Sequence, residues 1–248
     1  MQFSDAQKLI LAPALTWFET QGWTVFDFQK EAWSRVLNGE DGLVNAPTGS
    51  GKTYALLVPL VCAHLTTPTK KQAIRVIWIA PIRALAKEIE NAASRLFTAV
   101  DSPWRVSIRT GDTSVDERKK LKSKQPELLI TTPESLHVML ASRDYPDLFS
   151  DLSCIVVDEW HELLGTKRGV QMELALSRLK TVAPSCTVWG ISATIGNMDE
   201  ALHVLLGANR SNAASIVKAT IEKRLTVTSL MPDEVQTLPW AGHIGLRL

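Results

Sequence analysis

The chemistry of this 248-residue chain starts at Ala46-Pro47-Thr48-Gly49-Ser50-Gly51-Lys52-Thr53. The segment follows a short apolar run, Leu43-Val44, and precedes a helical pattern from Tyr54 to His64. Strand, glycine-rich loop and helix in that order form a phosphate cradle. Gly49 and Gly51 let the backbone turn its N–H groups onto phosphate oxygens. The following helix adds its positive N-terminal end. Lys52 supplies a cation for the β- and γ-phosphates, and Thr53 a hydroxyl for Mg²⁺. Ala46 stands where the general pattern has glycine.

A second site closes another apolar run. Cys154-Ile155-Val156-Val157 ends in Asp158-Glu159-Trp160-His161. Ionised groups at the end of a buried strand are costly unless something pairs with them. A metal and a reacting water give them a purpose: Asp158 to hold Mg²⁺, Glu159 to orient or deprotonate the water. A third run ends in Ser192-Ala193-Thr194, two hydroxyls that can bond to the acidic site and pass its state to a neighbouring surface.

The elements that must position these groups follow from the hydrophobic pattern. Strands are expected at Leu43–Asn45, Ile74–Ile79, Arg105–Arg109, Leu128–Thr131, Cys154–Val157, Val188–Ser192 and Ser215–Val217. Helices are expected near Tyr54–His64, Ala84–Phe97, Val115–Leu121, Glu134–Ser142, Val170–Lys180 and Met198–Leu206. Leu85, Ile89, Ala92 and Leu96 form one helical stripe. The alternation predicts an α/β domain, a mostly parallel sheet with helices on both faces, and ligands at the carboxyl ends of its strands. Upstream, Ser4 and Gln7 suggest a capping box, Pro13 the opening of a second helix, and Lys30–Leu37 a further helix. Residues 1–22 read as a helical extension. Leu225–Leu230 reads as a last edge strand, and 231–248 as a connector.

Composition narrows the class. Net charge is +1, so any surface for a polyanion is local, not global. Three scattered cysteines give neither a zinc pattern nor a disulfide framework and suit a reducing cytosol. No stretch suggests a signal peptide or a membrane span. The run Glu117–Lys124 is basic and reads first as a solvated helix face; a track along a nucleic-acid backbone is the alternative.

In order, Phe28-Gln29, Ala46–Thr53, Ala80–Leu85, Thr110-Gly111-Asp112, Thr131–Ser135, Asp158–His161 and Ser192–Thr194 resemble the DExH group of superfamily 2 helicases and translocases. Asp158–Gly165 with Lys167–Gln171 is similar to the large helicase-related family, in particular the bacterial ligase-associated DEXH-box helicases. The resemblance spans about residues 20–230. It implies a RecA-like phosphate-loop NTPase domain (23–230), ATP and Mg²⁺ as cofactors, and the bacterial cytosol or nucleoid as location. Gln29 would read the adenine edge and Phe26 would stack on the base. The loop from Thr48 to Thr53, Ser50 included, would hold the phosphates. Arg83, Gly111 and Thr132 would touch a nucleic-acid backbone, and His161, Ser192 and Thr194 would couple the two sites. It further implies DNA as partner, single-stranded or 3′-tailed, with RNA the alternative, and DNA-repair or ligase-associated partners. Trp160 is expected beside the nucleic-acid path.

No Gln-x-x-Gly-Arg-x-x-Arg-like segment follows Thr194. The expectation is a first motor domain that needs a second RecA-like domain to unwind anything, with weak ATP and nucleic-acid binding on its own. A transporter ATPase lacks its Leu-Ser-Gly-Gly-Gln segment here, and a small-molecule kinase its Arg-rich lid. A nucleotide-gated binding module without unwinding activity is the remaining alternative; intact Lys52, Thr53, Asp158 and Glu159 argue against it.

Overall fold

The computed structural model describes residues 3–67, 71–207, 210 and 213–221. Seven strands form one parallel sheet: β1 (Gly42–Asn45), β2 (Val76–Ile79), β3 (Val106–Arg109), β4 (Leu128–Thr131), β5 (Cys154–Val157), β6 (Thr187–Ser192) and β7 (Ser215–Lys218). Their spatial order is β3-β4-β2-β5-β6-β1-β7. The helices between them are α1 (Asp5–Thr20), α2 (Asp27–Leu37), α3 (Lys52–Thr66), α4 (Arg83–Ala99), α5 (Val115–Ser123), α6 (Pro133–Leu140), α7 (Tyr145–Phe149), α8 (Lys167–Val182) and α9 (Met198–Leu206).

Side chains alternate across a strand, so a sheet covered on both faces needs apolar residues at consecutive positions. Val76 and Trp78 of β2 join a core shared with α1–α4, while Ile77 and Ile79 join the other, shared with α6–α9. Cys154 and Val156 of β5 divide from Ile155 and Val157 in the same way. The register aligns the carboxyl ends: Asn45 faces Ser192 and Lys218, and Ile79 faces Thr131 and Val157. Every chemistry-bearing loop therefore leaves the same edge. Cys62, Cys154 and Cys186 are buried and unpaired.

Several elements differ from expectation. Pro13 does not open a new helix; α1 runs through it from the Ser4–Gln7 capping box. Pro13 is exposed, so the carbonyl it cannot bond faces water, and the break that proline imposes in a buried helix is avoided. α2 begins at Asp27, not Lys30, because the Gln29 side chain accepts from the Phe26 N–H and caps it. The short α7 was not anticipated, and α8 starts at Lys167 with Thr166 as cap. The expected strand Leu225–Leu230 and the 231–248 connector lie outside the described residues. Among the described residues no helix is long and apolar enough to cross a membrane.

Gly42 opens the phosphate-loop strand under tight constraint. A Cβ there would lie 2.5 Å from the Ser215 carbonyl oxygen and 2.6 Å from the Trp189 ring. The carbonyl belongs to β7 and cannot swing away as a side-chain tip can. Gly42→Ala is expected to cost about 1–3 kcal/mol, read as a lower urea midpoint at unchanged slope.

Candidate functional site

β1 and β5 both neighbour β6, so the loops after them open on either side of Ser192. The glycine loop takes its shape from two left-handed residues, Gly49 (φ 75°) and Gly51 (φ 83°). A Cβ on Gly51 would also meet the Gln29 Nε2 at 2.7 Å. Gln29 donates to the Gly51 carbonyl at 3.1 Å while its Oε1 accepts from Phe26. The glutamine is 2% exposed. Its amide is thus engaged with the loop and the start of α2, a tie that the sequence pattern does not reveal. Ser50 is buried, its N–H and hydroxyl both donating to the Pro47 carbonyl. Thr48 and Gly49 are exposed. Phe26 is exposed and stacks on the buried Phe28, centroids 6.0 Å apart.

Lys52 is the first residue of α3 and is buried. Its Nζ lies 3.6 Å from Glu159 Oε1, too far for a hydrogen bond. Among the described residues neither that ammonium nor Glu159 Oε2 has a hydrogen-bond partner. A buried cation left this way is costly; an anionic, oxygen-rich group between loop and acid would satisfy it. Thr53, the next residue, is half-buried.

Asp158 is 3% exposed. Its Oδ2 accepts from Trp78 Nε1 at 2.9 Å and its Oδ1 from the Glu159 N–H at 2.9 Å. Burial nonetheless pushes its carboxyl up to about 6, with the adjacent Glu159 charge adding to the rise and Trp78 opposing it. Glu159 follows in a left-handed conformation, φ 45° and ψ 48°, which costs a side-chain-bearing residue of order 1–2 kcal/mol. The reversal turns the chain into the 3₁₀ turn Trp160–Glu162 directly after β5. Glu159 Oε2 lies 3.4 Å from His161 Nδ1, and that same nitrogen bonds Ser192 Oγ at 2.9 Å. Lys52, Glu159, His161 and Ser192 thus form one continuous polar line. Thr194 is exposed and lines a separate cleft with His161.

No group of three or more His, Cys, Asp or Glu residues that could hold a metal ion occurs among the described residues. A hydrated divalent cation carried by phosphates, held by one carboxylate and one hydroxyl, fits Asp158 and Thr53.

Beyond β2, β3 and β4 lies a cleft of about 680 Å³. Arg83, Arg109, Gly111, Arg118 and Thr132 line it. Arg83 pairs with Asp112, and Arg118 donates to the Gly111 carbonyl at 3.0 Å. Burial, and then the neighbouring Arg118 charge, draw the Arg109 guanidinium below its usual pKa. Thr132 is buried and caps α6, its hydroxyl accepting from the Ser135 N–H. Arg109 carries no site signal in the sequence, whereas Arg118 belongs to the basic run Glu117–Lys124 for which a nucleic-acid track is the alternative reading. Trp78 lies inside the apolar run Ile74–Ile79, which carries no site signal in the sequence. Trp160, expected beside a nucleic-acid path, is fully buried and donates to the Ala201 carbonyl; an apolar ring on the 3₁₀ turn packs inward against α9.

Comparison with known proteins extends this geometry. ATP-dependent helicase Lhr-Core of Methanocaldococcus jannaschii is 31% identical over 263 residues, covering 100% of this chain and 31% of that protein. The Lhr helicase/probable uracil glycosylase of Mycolicibacterium smegmatis is 34% identical over 223 residues, covering 84% of this chain and 15% of that one. A solved structure of Mycobacterium smegmatis helicase Lhr bound to ssDNA and AMP-PNP superposes with a TM-score of 0.74 at 29% identity, covering 89% of this chain and 28% of that chain. The chain therefore spans less than a third of the length of these relatives. The DEAD/DEAH box helicase profile matches residues 26–201, a stretch holding the phosphate loop, the acidic strand end and the arginine-lined cleft alike, and the chain belongs to that family.

Proposed function

We propose that this chain is the first RecA-like motor domain, residues 23–230, of an ATP-dependent DNA helicase or translocase acting in DNA repair. The observation that carries the reading is the buried Lys52 ammonium, held 3.6 Å from Glu159 without a hydrogen bond. A triphosphate between them would satisfy the first and bring its terminal phosphate to the second.

In this reading the backbone N–H groups from Thr48 to Thr53 hold the phosphates, with Ser50 locking the turn and Lys52 neutralising the β- and γ-oxygens. Mg²⁺ bound with the nucleotide offsets the charge developing on those oxygens. Thr53 and Asp158 hold that ion, and Trp78 fixes the Asp158 carboxylate. Glu159 orients the attacking water and takes its proton. Phe26 stacks on the base. Gln29 keeps a second N–H and a second lone pair for the adenine edge while it holds Gly51. Arg83, Gly111 and Thr132 contact the sugar-phosphate backbone, which positions a strand without reading its sequence. His161, Ser192 and Thr194 relay the state of Glu159 to the facing domain. The ssDNA in the relative's structure favours DNA over RNA. Buried, unpaired cysteines suit a bacterial cytosol. Ligase-associated or other repair partners are part of the same reading.

The deciding experiment is ATP hydrolysis by the full-length protein with and without single-stranded DNA or RNA. Stimulation by DNA is expected; stimulation by neither removes the motor reading, and preference for RNA redirects it. Lys52→Ala should abolish the thermal shift produced by ATP·Mg²⁺, about 2.7 kcal/mol at a hundredfold excess over Kd. Glu159→Gln should leave that shift intact and slow turnover by roughly 10²–10⁴.

Asp158 carries a stability cost. Its folded-state carboxyl titrates at about 6, above its ordinary 3.8. Protonation is thus favoured by folding, and stability falls as pH rises from about 4 to 6 and stays lower above. Asp158→Asn removes the charge, but its single carbonyl oxygen can accept from Trp78 Nε1 or from the Glu159 N–H and not from both. Without nucleotide its stability should lack the fall that the wild type shows as pH rises from about 4 to 6. The variant should also lose Mg²⁺-dependent nucleotide binding.

A further inference from the structure

The turn that carries Glu159 and the helix that carries Thr132 are tied together by residues to which the functional reading gives no role. Downstream of Glu159, the 3₁₀ turn ends at Leu163, whose carbonyl accepts from the Thr166 N–H and hydroxyl. The Thr166 hydroxyl in turn caps α8 by accepting from the Gly169 N–H at 3.1 Å. Gly169 packs so closely that a Cβ on it would stand 2.2 Å from that Leu163 carbonyl oxygen. The start of α8 therefore cannot stay in place if the turn after Glu159 moves.

Arg168 projects from this same first turn of α8 into the arginine-lined cleft. Its Nε donates to Glu134 Oε1 at 2.7 Å. One terminal nitrogen donates to the Pro81 carbonyl at 2.8 Å, just before Arg83 begins α4. Glu134 sits in the first turn of α6, next to the Thr132 cap. Burial alone would raise the Glu134 carboxyl, but its own N–H, Arg168 and the Thr132 hydroxyl together hold it below the usual range. A second tie lies one turn along: His137 of α6 meets the Gln171 carbonyl of α8 at 2.7 Å.

We propose that Arg168 is the positioning residue that couples the two sites, its guanidinium clamping the Arg83 loop and the Thr132 end of α6 to the turn that holds Glu159. The inference rests on the motor reading above. A guanidinium suits the task because its rigid fork serves a carboxylate and a carbonyl at once, whereas an ammonium is a point charge on a flexible stem. Arg168 itself spends these donors on protein, so it acts through Glu134 and Pro81 and not as a phosphate ligand.

The test is a linkage measurement on the full-length protein. A fluorescent single-stranded oligonucleotide is titrated with and without AMP-PNP·Mg²⁺. The ratio of the two Kd values is the coupling factor, typically about 5–150 between coupled sites. Arg168→Lys and Glu134→Gln should bring the ratio towards one. The charge-exchanged pair Arg168→Glu with Glu134→Arg should recover part of the ratio if both single changes have folded normally by thermal melting. A wild-type ratio retained in both Arg168→Lys and Glu134→Gln overturns the clamp alone. So does an equal loss of DNA affinity in both nucleotide states, the mark of a direct phosphate contact. A wild-type protein whose ratio is already one overturns the motor reading and the clamp with it.

Discussion

An ammonium and a carboxylate, both largely removed from water and facing each other across 3.6 Å without a hydrogen bond, set the terms for the rest of this molecule. Such a pair is poorly compensated, because each charge has lost hydration that the other only partly replaces. The arrangement survives because neither group can relax away. Lys52 is fixed by the first turn of α3, whose entry demands a left-handed Gly51. Glu159 is fixed by its own left-handed backbone between a buried strand and a 3₁₀ turn. The parallel sheet supplies the rigidity, with β6 between the two strands and its Ser192 bonded to His161.

The same edge divides its electrostatics by position. Ends of β1, β5 and β6 carry one cation against a raised Asp158 and a nearby Glu159. Ends of β2, β3 and β4 carry arginines, one of them with its charge disfavoured by burial and by its neighbour. A chain of net charge +1 thus concentrates positive potential in one cleft without becoming basic overall. In the motor reading proposed above, the first cluster meets a compact triphosphate and the second an extended backbone.

The strands were readable from sequence because a sheet covered on both faces needs unbroken apolar runs, and these runs end at the motif residues. The phosphate loop and Asp158-Glu159 were readable because glycine, lysine and acid at strand ends have few packing explanations. What escaped depends on register and side-chain direction. Trp78 reaches Asp158 only because β2 and β5 are neighbours, and no local pattern announces that pairing. Trp160 looked functional through its place in the acidic motif, yet the turn at Glu159 directs it into the core. Pro13 looked like a boundary, but an exposed proline can lie within a helix whose opposite face is buried. Gln29 belonged to a recognisable pattern, while its grip on Gly51 required the fold to bring α2 against the loop.

That grip bears on how the site could respond to its ligand. Gly51 is where the loop becomes helix α3, and its carbonyl accepts both the Ala55 N–H and the Gln29 amide. Anything that rotates the Gln29 amide alters a hydrogen bond at the first turn of the helix carrying Lys52. Trp33, on the same α2, donates to the Tyr54 carbonyl one turn further along. Helix α2 thus holds α3 at two successive points, through Gln29, whose Oε1 accepts from the Phe26 N–H, and through Trp33, buried in the core. The position of Lys52 at the start of α3 is therefore tied to that of α2 by contacts that leave the sheet untouched.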